Sequence, residues 1–239
     1  ETTAMFDKQS FSPVIRKNDL YTFVEGSKIG SQWTGAGEVQ YIDAVELINS
    51  TSEIESRPVN AVKVRTQRIV YNAQERLWRP LMAGFAALSH HRHTSGFTSG
   101  EGRGRPFKEK ELNVKGWPAG GLGFTKMAKT NLLAMRLFTD IIVPWECIPR
   151  QDLLSDRKED EVYLLAREGD RYGLYFPKGS GSVKLDLINQ SKSFKVQWID
   201  IGKGEISQES TIDGGELRSI EVPYQVEHGW SCCITAIQL

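Results

Sequence analysis

Apolar and polar residues alternate along the last third of the chain, and glycine-rich turns interrupt the alternation. It is clearest from Val183 to Leu187 and from Phe194 to Trp198, where every second residue is apolar. Because successive side chains of a β-strand point to opposite faces, this period predicts antiparallel strands with one face in a core and the other in water. Further runs bounded by Gly or Pro lie at residues 205–212, 216–222 and 229–237. About seven strands at this spacing predict a β-sandwich, which we expect to fold independently from about Glu159 onward.

Strand and helix patterns alternate in the preceding part of the chain. The predicted elements are a strand at 19–25, a helix at 42–54, a strand at 57–69, a helix at 74–88 and an amphipathic helix from Thr125 to Pro144. Pro80 must kink the second helix or mark its first turn, because proline lacks the backbone donor. Alternating strands and helices predict an α/β domain over residues 1–157 and, beyond a charged boundary, the β-sandwich over residues 158–239.

Several sequence strings carry a resemblance to a known family. The strings YLLAREGDRYGLYFPKGSGSVKLDL and VQWIDIGKGE resemble a collagen-binding-like β-sandwich that follows a glycosidase-like barrel in a large family of bacterial proteins, the apiosidase-like glycoside hydrolases. The upstream strings RPVNAVKV, ERLWRPLMAGFAALSHHRH and GLGFTKMAKTNLLAMRLF resemble the last strands and helices of that family's (β/α)8 barrel. The resemblance implies an α/β plus all-β chain, with a partial TIM-type barrel followed by a sandwich, that processes carbohydrate.

The length of the chain limits how much barrel it can contain. A complete (β/α)8 barrel takes about 250 residues, whereas about 155 residues precede the predicted sandwich, so half a barrel is the most that fits. A half-barrel leaves a sheet edge and an apolar face uncovered. We therefore expect that the chain forms a homo-oligomer or associates with a separate polypeptide that supplies the missing barrel half. The alternative is that it is a shortened relative of the barrel proteins. The sequence starts at Glu1 without an initiating Met, which indicates processing, trimming or a longer parent chain.

The charge balance narrows the classes of partner. Thirty basic and thirty acidic side chains give a formal net charge of zero, so neither a nucleic acid nor an anionic membrane surface is predicted as a partner. No apolar run approaches the roughly 20 residues that cross a bilayer, and the first residues do not resemble a signal peptide. Through the resemblance, an oligosaccharide or polysaccharide is the predicted partner, and an extracellular or periplasmic location is implied.

The middle of the chain contains glycines and histidines of the kinds that occur in ligand-binding motifs. Gly100, Gly102 and Gly104 lie in a long polar loop without a preceding strand or a following Lys-Ser, so no nucleotide fingerprint is satisfied. His91 and His93 would share a face of an extended segment, but no motif supplies the third ligand that zinc needs. We predict neither a metal nor another cofactor. In the resembled family a His-Arg pair stands at the barrel mouth, and His91 with Arg92 match it as substrate-binding residues.

Glycoside hydrolysis requires two carboxyl groups on either side of the bond that is cleaved. Glu25 is the leading candidate, because it ends a predicted strand and barrel enzymes place their chemistry at the carboxyl ends of strands. A solvated acid at a turn is the alternative for Glu25. Glu75 opens the next helix and could contribute, although the helix dipole alone explains an acid there. Glu1 would match the family's Asn-Glu acid/base pattern if an Asn preceded it.

One strand departs from the catalytic pattern of the resembled family. Its relatives carry a glutamate in the strand that corresponds to RPVNAVKV, whereas this chain offers Asn60, Lys63 and Arg65, which cannot act as carboxylate nucleophiles. These three residues are predicted to bind substrate. Because this glutamate is missing, two alternative functions remain. One is a non-catalytic carbohydrate-binding or extracellular structural protein that retained the fold, and the other is a structural subunit that assembles through the open edge of the half-barrel.

Tryptophans and cysteines complete the set of candidate residues. Trp198 and Trp230 are predicted in the sandwich core, whereas Trp33, Trp117 and Trp145 lie in or beside loops, where an indole can stack on a sugar ring. Trp117 is the preferred carbohydrate contact, and anchoring of its loop in the core is the alternative. Neighbouring residues Cys232 and Cys233 fall on opposite faces of a strand, so at most one could pair with Cys147. Packing as small apolar side chains is the default for all three cysteines.

Overall fold

Five stretches of the chain are described by the computed structural model: residues 22–25, 37–52, 59–65, 75–91 and 126–237. Contacts between Cα atoms divide the chain into two compact units, Glu1–Thr125 and Lys126–Leu239. The helix before Pro144 therefore groups with the C-terminal strands. The domain boundary that the sequence predicts between residues 157 and 158 stays a prediction.

The first unit contains a three-stranded parallel sheet with a helix in each connection. In chain order its elements are β1 (Thr22–Glu25), α1 (Glu38–Ser52), β2 (Val59–Arg65), α2 (Glu75–Met82) and β3 (Ala87–His91). The strand order is β1-β2-β3, with Thr22 opposite Val59 and Asn60 opposite Ala87. Parallel neighbours need a crossover connection, which the helices supply. This repeat is common to barrels and open α/β sheets, so the half-barrel stays a prediction.

Helix α2 ends earlier than its hydrophobic period predicts. The helix was expected to reach residue 88, but it ends at Met82, and Gly84 adopts a φ of 99° that favours glycine. The N–H of Phe85 donates to the carbonyl of Pro80 at 3.2 Å, and the N–H of Gly84 donates to that of Leu81 at 3.0 Å. These two bonds form a Schellman-type end. The chain is thereby released into strand β3.

The second unit is built from two antiparallel sheets and one long helix, α3 (Lys126–Ile142). The strands are β4 (Ile148–Pro149), β5 (Leu154–Ser155), β6 (Tyr163–Arg167), β7 (Arg171–Phe176), β8 (Ser182–Asp186), β9 (Ser193–Asp200), β10 (Glu205–Asp213), β11 (Leu217–Glu221) and β12 (Trp230–Ala236). A six-stranded sheet has the order β10-β9-β12-β7-β6-β4, and a three-stranded sheet has the order β11-β8-β5. All of their described pairings are antiparallel, which confirms that part of the predicted fold.

Every second residue of the central strands forms one apolar core. Its buried members are Val162, Leu164, Ala166, Tyr172, Leu174, Phe176, Val183, Leu185, Leu187, Phe194, Val196, Trp198, Ile220, Trp230, Cys232 and Ile234. They include the apolar positions that the alternation predicts and the two predicted core tryptophans. Burying a large apolar side chain stabilises the fold by about 1.5–3 kcal/mol, so this cluster contributes strongly to the stability of the unit.

The opposite face of the six-stranded sheet is covered by α3 rather than by water. Phe138 and Ile142 of the helix are fully buried, as is Tyr175 on β7. A Cβ atom added at Gly173 would lie 2.5 Å from the Cζ of Phe138, so the helix packs where β7 has no side chain. The prediction of a water-facing second side is therefore wrong for this sheet. It holds for β8, where Lys184 is exposed between two buried residues.

The three cysteines are free thiols buried in the second unit. Burial raises the pKa of Cys147 to about 11, and burial likewise raises the pKa of Cys232 and Cys233. This confirms their predicted packing role. We expect the native protein to react slowly with a disulfide reagent at pH 8, because about one Cys147 thiol in a thousand is then ionised. Unfolding in guanidinium should release all three thiols, and fast reaction of the native protein would contradict this account.

Candidate functional site

The carboxyl ends of the three parallel strands bring predicted site residues to one edge of the sheet. Glu25 is the last residue of β1, Arg65 of β2 and His91 of β3. Lys63 lies two residues before the end of β2. Parallel strands run in the same direction, so their carboxyl ends meet at one edge. Glu25, Lys63, Arg65 and His91 are called the strand-end group below.

The strand register sets the spacing within the strand-end group. Arg65 and His91 are direct Cα partners on neighbouring strands, which lie about 4.8 Å apart. Glu25 is the partner of Val62, next to Lys63. Glu25 is therefore set back from Arg65 by three residues, or about 10 Å along the strand. The register of β2 against β3 shifts between Ala61 and Val64, at a bulge or other irregularity of the pairing.

The remaining predicted residues are more scattered. Asn60 is the second residue of β2 and the partner of Phe23, so it lies toward the amino end of the strand. Glu75 is the first residue of α2, in the connection from β2 to β3. Glu1, Arg92 and Trp117 lie outside the described residues, as do Trp33 and the glycine-rich loop. Their assignments stay predictions.

The strand-end group contains one carboxylate and three basic side chains. Ammonium, guanidinium and imidazole groups supply hydrogen-bond donors suited to sugar hydroxyls. A carboxylate can act as a nucleophile, a base or, when protonated, an acid, but hydrolysis of a glycoside uses two such groups. A second carboxylate would have to come from elsewhere in the chain or from another chain.

A second polar cluster, which the sequence did not reveal, lies where β9 turns into β10. Asp200 is only 1% exposed, and its Oδ1 lies 2.6 Å from Nε2 of His228. The Tyr224 hydroxyl donates to Oδ2 of Asp200 at 3.4 Å, and the Lys203 ammonium lies 3.5 Å from the same oxygen. We call Asp200, Lys203, Tyr224 and His228 the Asp200 cluster.

The Asp200 cluster joins two segments that are far apart in sequence. The backbone N–H of Lys203 also donates to Oδ1 of Asp200 at 3.1 Å, which closes the turn after β9. The indole N–H of Trp230 donates to the carbonyl of Tyr224 at 3.0 Å. In a catalytic triad a His-Asp pair activates a Ser, Thr or Cys nucleophile, and the cluster contains none of these three. Its geometry therefore fits a structural role, in which the cluster holds residues 224–228 against the β9–β10 turn.

We expect Asp200→Asn to lower the free energy of unfolding by about 1–3 kcal/mol. The amide keeps the shape of the side chain but removes the buried charge that accepts from His228 and Lys203, which leaves donors poorly matched. Chemical denaturation at pH 7 measures the effect. Glu221→Gln on β11, where the side chain is exposed, is the matched control and should behave like the unchanged protein. Equal stability of the two variants would show that the Asp200 cluster does not contribute to the free energy of unfolding.

Trp145 is the one loop tryptophan that the described residues include. Its side chain is 71% exposed, as expected for an indole that could stack on a ligand. It lies in a 3-10 turn, Pro144–Glu146, directly after α3. Within the described residues no group of three or more His, Cys, Asp or Glu side chains could hold a metal ion. No helix among them is both long and apolar enough to span a membrane.

The chain is similar to known proteins in structure rather than in sequence. No protein-family profile and no curated protein sequence matches the chain. Among solved structures, a glycoside hydrolase aligns with 90% of this chain and 52% of its own length, with a TM-score of 0.59 and 12% identity. A family 5 glycoside hydrolase from Bacteroides vulgatus aligns with 95% of this chain and 52% of its own length, with a TM-score of 0.62 and 13% identity.

Both solved structures extend well beyond the aligned region, since the chain spans about half the length of each. Sequence identity as low as 12–13% establishes similarity of fold and leaves the chemistry of the site to be argued from its residues. The chain has a glycoside-hydrolase-like fold.

Proposed function

We propose that the chain acts on carbohydrate as a glycoside hydrolase, cleaving O-glycosyl bonds of a plant or microbial polysaccharide. The observation that supports this most directly is the position of Glu25, a carboxylate at the carboxyl end of a strand in a parallel sheet. Barrel glycosidases place their catalytic groups at that end of their strands. In this proposal the first unit is part of an apiosidase-like barrel, and the second is the collagen-binding-like sandwich.

In this proposal each member of the strand-end group has a role. Glu25 supplies one carboxylate of the pair, and Glu75, Glu1 or an acid of another chain supplies the other. Lys63, Arg65 and His91 donate hydrogen bonds to sugar hydroxyls near the reacting bond. The other proposed substrate contacts are Asn60, Arg92 and Trp117.

The proposal includes a partner for the first unit. Among the described residues the three parallel strands leave two sheet edges, and a glycosidase barrel closes such edges with further strands. A second copy of this chain or another polypeptide would supply them. The proposed location is extracellular or periplasmic, where a polysaccharide would be encountered.

The second candidate function is carbohydrate binding without catalysis, in an extracellular binding or structural protein. The observation that favours it is the composition of the strand-end group, in which three basic residues accompany one acid. Without a second carboxylate the bond cannot receive a proton on one side and a nucleophile on the other. The same residues could still hold a sugar through their donors.

One experiment distinguishes the two functions. The full chain is incubated with a panel of plant and microbial polysaccharides, and the release of reducing ends is measured alongside retention of the protein in gels that contain each polysaccharide. Release that exceeds the no-enzyme control supports hydrolysis. Retention without release supports the binding function, and neither release nor retention across the panel would contradict both.

A further inference from the structure

The turn after α3 presents an aromatic side chain at the surface of the second unit. Trp145 has the largest exposed fraction, 71%, among the large apolar side chains of the described residues. Exposing an indole to this extent forgoes the stabilisation that its burial would give. Ile148, three residues later on β4, is 61% exposed. Two exposed apolar side chains thus lie close together in the sequence.

The backbone holds this turn in an unusual conformation. Val143 has φ 53° and ψ 66°, in the left-handed region that a β-branched residue rarely adopts. It also precedes Pro144, a position that favours extended backbone. The N–H of Glu146 donates to the carbonyl of Val143 at 2.9 Å, and the Cys147 thiol donates to the carbonyl of Ile142 at 3.4 Å. The turn that carries Trp145 is therefore fixed from both sides.

Charged side chains around Glu146, the residue that follows Trp145, form a network of ion pairs. Arg167 Nη1 donates to Oε2 of Glu146 at 2.8 Å, and Arg171 Nη1 lies 3.7 Å from the same oxygen. Asp170 Oδ2 lies 3.0 Å from Nε of Arg171 and 3.7 Å from Nε of Arg167. The two arginines and two acids sum to zero charge. Exposed pairs of this kind add little stability, but they hold donors and acceptors in place around Glu146, the residue after Trp145.

These features match one kind of ligand. The C–H face of a pyranose ring stacks on an exposed indole, and its hydroxyls both donate and accept hydrogen bonds. A network without net charge gives no advantage to an acidic or a basic ligand. A protein partner would be expected to cover a larger continuous apolar patch than one indole and one isoleucine.

We propose that Trp145, with the adjacent Glu146–Arg167 pair, forms a surface site for neutral polysaccharide on the second unit. The site is separate in sequence from the strand-end group, and it would hold a polymer on the protein between or during cleavage events. The inference rests on the proposed action on carbohydrate, and it specifies a neutral polymer as the ligand.

The test is affinity gel electrophoresis of the full chain with xyloglucan, arabinoxylan and hydroxyethyl cellulose, and with polygalacturonate as the acidic comparison. The Glu25→Gln background is used so that turnover cannot remove the polymer. We expect at least one neutral polymer to retard the protein, and Trp145→Ala to weaken that retention by about threefold to tenfold. Trp145→Tyr should restore most of it, because the phenol keeps an aromatic face.

Controls separate a binding role from a structural one. Leu217→Ala removes a different exposed apolar side chain of the same unit, 45% exposed, and should leave retention unchanged. The site is overturned if Trp145→Ala in the Glu25→Gln background migrates like Glu25→Gln alone, or if only polygalacturonate retards the chain. It is also overturned if Trp145→Ala lowers the melting temperature enough to account for the loss. Loss of retention by Trp145→Ala in a chain that shows no hydrolysis would keep this site and defeat only the catalytic proposal.

Discussion

A fragment of residues 159–239 is expected to lack a cooperative unfolding transition, whereas a fragment of residues 126–239 is expected to have one. The shorter fragment lacks α3, which contacts β7, β9, β10 and β12, and so exposes the second face of the sheet there, whose buried side chains include Tyr175, Ile199 and Cys233. At about 1.5–3 kcal/mol for each large apolar side chain, the loss is of order 10 kcal/mol. A domain's whole stability is about 5–15 kcal/mol. This replaces the expectation from sequence that the strands alone would fold.

Thermal unfolding followed by near-ultraviolet circular dichroism distinguishes the two fragments. Phe138→Ala in the longer fragment is an intermediate case, since it removes the ring that packs over Gly173 and should cost about 3–5 kcal/mol. Arg136→Ala is its matched control on the exposed side of the same helix and should have little effect. A sharp transition in the shorter fragment would show that the helix is dispensable.

Glu25→Gln is expected to lower turnover of a hydrolysed polysaccharide by about 10³-fold or more, with the fold unchanged. The amide preserves the size of the side chain but can neither act as a proton-donating acid nor carry the charge of a nucleophile or base. Initial rates of reducing-end release measure the effect, and far-ultraviolet circular dichroism checks the fold.

Glu46→Gln on the exposed side of α1 is the control for this substitution, because it removes an acid in the same unit away from the strand ends. Its turnover should match that of the unsubstituted chain. If both variants hydrolyse equally well, Glu25 is not one of the catalytic carboxylates. If the unsubstituted chain only binds polysaccharide, Glu25→Gln should alter affinity modestly, as expected for one hydrogen-bonding group among several.

The ends of the parallel strands were only partly predictable from the sequence. The run of residues before Gly26 predicted that a strand ends at Glu25. Only the structure showed that another strand ends at His91, because the helical period of residues 74–88 runs into β3. Periodicity could not detect the helix end at Met82, since Phe85 and Leu88 continue the apolar spacing. The helix ends because Gly84 adopts a positive φ, and the spacing of apolar residues carries no information about that backbone angle.

The sequence by itself determined the antiparallel strands of the second unit, because the two-residue period of β8 and β9 is a local property that each strand carries alone. It also indicated that α3 is amphipathic, and its Phe138 and Ile142 are buried. Only the tertiary structure decided what that face covers. Phe138 of α3, a helix some thirty residues earlier in the chain, packs over Gly173, where β7 has no side chain. Asp200 contacts His228, which is 28 residues later. Contacts between distant segments depend on how whole elements pack, and no local period specifies them.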